Sequence, residues 1–329
     1  MFGDARTELW GALLDGQYRL GEPVGTGATG VVLRAFRESD DREFVVKVLK
    51  ESLAHRSDLA LRLRREAEAA RAIRHPGIVA CVDDGTLPDG SPYLVFERLH
   101  GESLLRMIRR RGPLPVSQAI AVLRRATRVL SAVHAAGYVH RDLKSEHVWL
   151  SVDRGALHVS LLDFGVCQPP QADMTGALAL QVLGTPGYLA PEQAAPTAPA
   201  TPRSDLYGLG ATLFEALTGR PPFAGLNAAS VLRQALSEDA ELVGRVRANV
   251  PRSLESLVQS LLARDPRARP LNTRLVERAL AAAADTPLHH AENQLVAELM
   301  PAMVDPSLVQ TLDESRPTRA PVPVRAAAF

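Results

Sequence analysis

The run Gly25-Thr26-Gly27-Ala28-Thr29-Gly30 constrains this 329-residue chain more than any other feature. Glycines let a backbone turn tightly and offer its amide donors to a bound anion. The residues after the run decide between folds. A dinucleotide-binding unit requires a helix directly after such a turn. Here Val31-Val32-Leu33-Arg34-Ala35-Phe36-Arg37 continues instead, and its β-branched and apolar residues read as strand. Residues 18–24 before the turn read as strand too. The pattern therefore predicts a hairpin with a glycine-rich tip suited to cover phosphates; a plain glycine-rich hairpin is the bland alternative.

A third strand is expected over 43–49, where Phe44, Val46 and Val48 alternate with Val45, Lys47 and Leu49. Lys47 shares a face with Val45, and an ammonium on an apolar strand must find an anion or leave the core. A helix beginning at Ser57 or Asp58 and ending before His75-Pro76 offers one. Leu59, Leu63, Glu66 and Ala70 fall on one stripe at helical spacing, so Lys47 and Glu66 are expected to pair inward. Further strands are expected over 78–82 and 93–97. Beyond Gly101 helices dominate, at 117–136, 204–218, 227–236, 252–263 and 272–284, with a strand over 157–162.

Composition sets the outer limits. Apolar residues make up 46% and charged residues 23%, which permits a sizeable core. Lys and Arg number 38 against 37 Asp and Glu, a balance without the footprint of a nucleic-acid binder. Two cysteines, Cys81 and Cys167, exclude a disulfide framework and a cysteine-built zinc site. The first 18 residues lack a secretory pattern, and no stretch is long and apolar enough to span a membrane. A cytoplasmic protein is expected, without nucleic-acid or membrane partners. After Asp285 proline becomes denser, six in the last 44 residues against 24 in 329. The division expected is an extension over 1–17, one domain over 18–285 split near 97–101, and a Pro/Ala-rich tail over 286–329. Within that tail, a short amphipathic helix is expected over 291–300 and a disordered end over 313–329.

Three polar segments then decide the reading: His140-Arg141-Asp142-Leu143-Lys144-Ser145-Glu146-His147, Asp163-Phe164-Gly165, and Gly184-Thr185-Pro186-Gly187-Tyr188-Leu189-Ala190-Pro191-Glu192. In this order, with Lys47 and Glu66 upstream, the chain resembles the protein kinases, and most of all the bacterial, eukaryotic-type (Hanks-type) Ser/Thr kinases. The resemblance covers about residues 18–284. It implies an α+β, two-lobed fold, with a small β-rich N-lobe carrying one helix (about 18–97) and a larger helical C-lobe (about 101–285). It also implies an ATP- and Mg²⁺-dependent protein kinase that acts in signalling on protein substrates. By the same resemblance Asp142 would accept the hydroxyl proton, and Lys144 and Thr185 would mark a Ser/Thr enzyme. Asp163 would bind the metal, and Lys47, oriented by Glu66, would hold phosphates. Val24, Gly25, Thr26, Gly27, Ala28, Thr29, Gly30, Val31 and Val32 would cover the nucleotide; Val45, Phe96, Glu97, Leu99 and Trp149 would surround adenine. Glu192 would pair with Arg269, and Asp205 would anchor the catalytic loop.

Three positions depart from the family pattern. His147 replaces the metal-binding asparagine; a neutral imidazole suits Zn²⁺ or other transition ions better than Mg²⁺, so a weakened second metal site is expected, although His147 could still hydrogen-bond Asp142 or reach Mn²⁺. Val45 and Trp149 replace smaller residues and add volume where a purine would lie. These departures support a second reading, a pseudokinase serving as a binding or scaffold module; the retained Lys47, Glu66, Asp142 and Asp163 oppose it. A small-molecule phosphotransferase is a third reading, opposed by Lys144, Thr185 and the Ala190-Pro191-Glu192 triplet. Contacts through the tail or between two such chains are further partner candidates. Within 163–192 the hydroxyls are Thr175, Thr185, Tyr188 and no others, and the last two belong to the substrate pocket motif. Thr175 is therefore the candidate autophosphorylation site, its phosphate drawn to Arg141. Thr175→Ala is expected to lower both phosphate incorporation and activity, measured by intact mass and peptide phosphorylation; an unchanged variant would remove Thr175 from consideration.

Overall fold

The computed structural model describes residues 6–167, 184–194, 199–285 and 287–304. Period-two alternation drives the first third of the chain into one antiparallel sheet. Its strands β1 (Leu13–Leu14), β2 (Tyr18–Thr26), β3 (Gly30–Arg37), β4 (Glu43–Leu49), β5 (Cys81–Thr86) and β6 (Pro92–Glu97) lie in the order β1-β2-β3-β4-β6-β5. Helix α1 (Ser57–Ala72) connects β4 to β5. Val31, Leu33 and Ala35 of β3 and Val46 and Val48 of β4 fill one face and are wholly buried. The register sets Val32 opposite Lys47 and Arg34 opposite Val45 on the other face. Where 78–82 was expected to be a strand, Ile78 makes only an isolated bridge to Leu161, and pairing starts at Cys81. Strand β5 is a sheet edge, so its ladder tolerates the polar Asp83 and Asp84 that the apolar pattern excluded.

A second layer comes next in the chain: β7 (Glu102–Ser103), α2 (Leu104–Arg111), α3 (Val116–Ala135), β8 (Val148–Asp153) and β9 (Ala156–Leu161). Strands β7, β8 and β9 form a separate three-stranded sheet. Gly101 enters it at φ +133°, and a side chain there would collide with the Leu150 carbonyl oxygen. Then come α4 (Pro191–Ala194), α5 (Pro202–Thr218), α6 (Ala228–Ser237), α7 (Val243–Val246), α8 (Arg252–Leu261), α9 (Thr273–Ala282) and α10 (Leu288–Val304). Helix α5 is the axis of this half, with every residue from Ser204 to Leu217 buried. A reciprocal cap between Thr201 and Ser204, with Pro202 in the first turn, starts it, and Gly219 at φ +80° stops it. The two-lobed α+β architecture is the one the resemblance implied.

Residues 6–17, read as an extension, join the sheet through β1, and the Arg6 guanidinium is buried against Asp89 (2.8 Å) and the Leu49 carbonyl (2.9 Å). At the other end α10 is longer than the expected 291–300. Ala291, Leu295 and Leu299, four residues apart, make a stripe that enters the same core as α3. Arg125 of α3 holds Glu292 with two bonds of 2.9 and 2.7 Å, and Gln118 donates to Glu298 at 3.2 Å. The helix also packs on β8 and β9. The end expected to be disordered, 313–329, lies outside the described residues. Among the described residues, no helix is long and apolar enough to cross a membrane.

Leu295 is fully buried in this stripe. Leu295→Ala is expected to cost about 2–5 kcal/mol and to lower the thermal midpoint by roughly 5–15 °C in circular dichroism melts. The exposed Asn293→Ala serves as the control and should leave the midpoint in place.

Candidate active site

The sheet, α1 and the segment 142–166 enclose a cavity of about 610 Å³. Lys47 enters it from β4, because its strand face is the one turned away from the sheet core. Its Nζ donates to Glu66 Oε2 at 2.7 Å and Oε1 at 2.9 Å, and to Asp163 Oδ1 at 3.4 Å. Removal from water pulls the ammonium down, but Asp163 and Glu66 together outweigh this and hold it above its ordinary value. Glu66 is only 6% exposed, and burial lifts its carboxyl to about 7 against the pull of Lys47. Burial pushes the Asp163 carboxyl up, but Lys47, its main counter-charge, outweighs this and helps hold it well below the usual carboxylate range. Its backbone is left-handed at φ +62°, a conformation that Asp tolerates when its side chain bonds locally. Oδ1 does so, accepting the Gly165 N–H at 3.2 Å.

The loop after α3 hangs from one buried carboxylate. Asp205 of α5, 1% exposed, accepts the backbone N–H groups of His140 and Arg141 at 2.8 Å each, and its Oδ2 meets His134 Nε2 at 2.7 Å. Arg141 is left-handed at φ +72°, which turns the chain so that Asp142 faces the cavity. Thr185 then fixes Asp142: its N–H (3.0 Å) and its hydroxyl (3.2 Å) both donate to Oδ1. Gly184, at φ +126°, permits this approach, since a side chain there would meet Leu189. Lys144 also reaches the cavity, bonded to Glu146 at 2.6 Å. Beneath the loop, the hydroxyls of Ser145 and Tyr188 donate to the buried Glu215, whose carboxyl burial pushes up.

His147 lies deep beside the two aspartates and is 7% exposed. Its Nδ1 is 2.8 Å from the Asp142 carbonyl oxygen, and its Nε2 is 3.6 Å from Asp163 Oδ2. Burial pushes the imidazole below its ordinary value, with Asp163 and Asp142 opposing, so the neutral form is favoured. Asp163 presents an oxygen with free lone pairs to the cavity and fits a hard divalent cation. Val45 and Trp149 both line the cavity. The Trp149 indole N–H is buried without a partner among the described residues.

The structure brings together around this one cavity Val24, Gly25, Thr26, Gly27, Ala28, Thr29, Gly30, Val32, Val45, Lys47, Glu66, Phe96, Glu97, Leu99, Asp142, Lys144, His147, Trp149 and Asp163. Val31 does not join them. Alternation turns it into the sheet core, where it is wholly buried. Thr185 reaches the site through Asp142 alone. Thr175 lies outside the described residues. Glu192 and Arg269 form a two-bond pair at 2.6 and 2.8 Å beneath α4 and α5. Sequence reasoning missed His134, whose position on a helix suggests packing and nothing more. It also missed the Ser145–Tyr188–Glu215 cluster, whose members are 27 to 70 residues apart and share no spacing signal.

A model of the protein kinase domain family matches residues 18–280. Serine/threonine-protein kinase pkn2 of Myxococcus xanthus is 37% identical over 275 residues, which is 82% of this chain and 33% of that protein. PknL of Mycobacterium tuberculosis is 36% identical over 262 residues, 79% of this chain and 64% of that protein. PkaA of Streptomyces coelicolor is 37% identical over 304 residues, 88% and 54% respectively. The chain thus spans between a third and just under two thirds of the length of these relatives.

The chain has two tryptophans, Trp10 and Trp149, and only Trp149 faces the cavity. A ligand there should change the indole emission. Titration of wild-type protein with an adenine nucleotide is expected to shift or quench tryptophan fluorescence, and Trp149→Leu, which retains Trp10, is expected to abolish the change. An equal response in both proteins would place the ligand elsewhere.

Proposed function

The chain belongs to the protein kinase family, and from that premise we propose that it is an ATP-dependent serine/threonine protein kinase, transferring the γ-phosphoryl group of ATP to protein hydroxyls. One observation carries the reading: Asp142 Oδ1 is tied down by Thr185 while the carboxylate faces the same cavity as the Lys47–Glu66 pair and Asp163. Positioning and charge neutralisation are the main demands of phosphoryl transfer. This arrangement supplies both. The names of the relatives, all serine/threonine-protein kinases, support the same class.

In this mechanism the N–H groups of the Gly25–Gly30 tip lie over the nucleotide phosphates, and Lys47 holds two of them. Asp142 orients a Ser or Thr hydroxyl through its unconstrained oxygen and takes the proton as the new O–P bond forms. The bond from the γ-phosphorus to the leaving ADP oxygen breaks in the same step. Lys144 adds positive charge beside Asp142; burial opposes its ammonium, but Asp142 and Glu146 hold it above its ordinary value. A divalent cation on Asp163, either Mg²⁺ or Mn²⁺, would supply neutralisation of phosphate charge. The Arg141 Nε has no partner among the described residues, which supports a phosphate on Thr175 as its counter-charge. Proteins are the proposed substrates, and the cytoplasm is the proposed location.

Incubation of the purified chain with ATP and Mg²⁺, and in parallel Mn²⁺, is expected to add phosphate masses to the wild type. Asp163→Ala should abolish them, and Asp142→Asn should slow incorporation by roughly 10²–10⁴-fold. Retained nucleotide binding with no phosphate added under either cation would replace this reading with a binding module.

A further inference from the structure

The two acceptors at the bottom of the cavity are in an unusual relation. Asp163 spends Oδ1 on Lys47 and on the Gly165 N–H, and Oδ2 accepts no hydrogen bond among the described residues. His147 Nδ1 faces the Asp142 carbonyl at 2.8 Å. A carbonyl oxygen only accepts, so a proton sits on Nδ1, and in the neutral ring the Nε2 lone pair is free. That lone pair looks across 3.6 Å at Oδ2 in a place where the imidazole is 7% exposed. Two facing lone pairs call for a positive charge between them.

We propose that His147 Nε2 and Asp163 Oδ2 form a mixed nitrogen–oxygen cation seat that takes Mn²⁺ in preference to Mg²⁺, with phosphate oxygens and water completing the shell. Ligands about 2.1 Å from one ion, at the 90° of an octahedral shell, stand roughly 3.0 Å apart. The observed 3.6 Å is wider, so the two atoms close by about half an ångström to hold one ion. The donated Nδ1–H fixes the ring plane, as backbone carbonyls do behind metal-bound histidines. Mg²⁺ demands oxygen, while a first-row transition ion accepts imidazole. Mn²⁺ also keeps the taste for oxygen that the phosphates require. Among the described residues, no three His, Cys, Asp or Glu side chains converge on a possible ion, so the protein alone does not complete the seat. Its dependence on a nucleotide rests on the kinase reading above.

The test is electron paramagnetic resonance of Mn²⁺ with the full chain and a methylene-bridged ATP analogue, whose triphosphate holds no nitrogen. Wild type is expected to bind Mn²⁺ at least tenfold more tightly than Mg²⁺ in competition. Spin-echo modulation should show directly bound ¹⁴N. Labelling the histidines with ¹⁵N should remove that ¹⁴N signal without altering the fold, and His147→Asn should remove it and bring the two affinities towards each other. Mn²⁺ bound without a histidine nitrogen, a preference for Mg²⁺, or no Mn²⁺ bound would each overturn the proposal. Nitrogen coupling in a protein that transfers no phosphate would overturn the kinase reading and leave the seat; phosphate transfer without the coupling would do the reverse.

Discussion

The organisation of the site depends on the Asp205 carboxylate. A charge 99% removed from water is tolerable only when donors surround it, and here two backbone N–H groups and an imidazole do so. Charge-assisted bonds of this kind contribute about 1.5–3 kcal/mol each. Their geometric effect is larger than their energy. They fix His140 and Arg141 on the buried axis of α5, hold Arg141 in the left-handed region, and so determine where the next residue points. Asp142 inherits its position from that turn, and its carbonyl in turn fixes the ring of His147. His140, Arg141, Asp142 and His147 therefore trace back to one side chain that does not itself line the cavity.

Lys47 plays the corresponding part between the two layers. It rises from β4, pairs with α1 through Glu66, and reaches Asp163 beyond β9, so that one ammonium joins three elements. Around that ammonium two carboxyl groups share one cation, and Asp163 Oδ2 accepts no hydrogen bond among the described residues. A divalent cation there would supply the charge that Lys47 alone leaves unmet.

Much of this was legible in the residues, and the reasons are specific. Lys47 and Glu66 belong to regular elements, where period two and period 3.6 fix which way each points. Their meeting followed from those periods. In the structure the same alternation turns Val31 into the core, whereas the motif reading grouped it with the glycine tip; local geometry prevailed over family pattern. Asp142 and Thr185 are 43 residues apart on irregular backbone, and no periodicity connects them. The replacement at His147 was visible as a change of chemistry. Which nitrogen carries the proton was not, because that depends on a carbonyl oxygen that only the folded loop delivers. Strand β5 was misplaced because an apolar run marks buried strands, and this one lies on an edge.

Helix α10 alters what counts as the functional unit. The family match stops at residue 280, and the last helix it covers is α9. Yet the stripe Ala291–Leu295–Leu299 is continuous with the core behind α3, and it backs the hairpin that carries His147 and Trp149 at its near end. A segment excised at the family boundary would expose that apolar seam to solvent and to other copies of itself. For swapping this two-lobed unit into another protein, or fusing a reporter behind it, the joint must therefore spare α10. The helix travels with the two lobes as their rear wall.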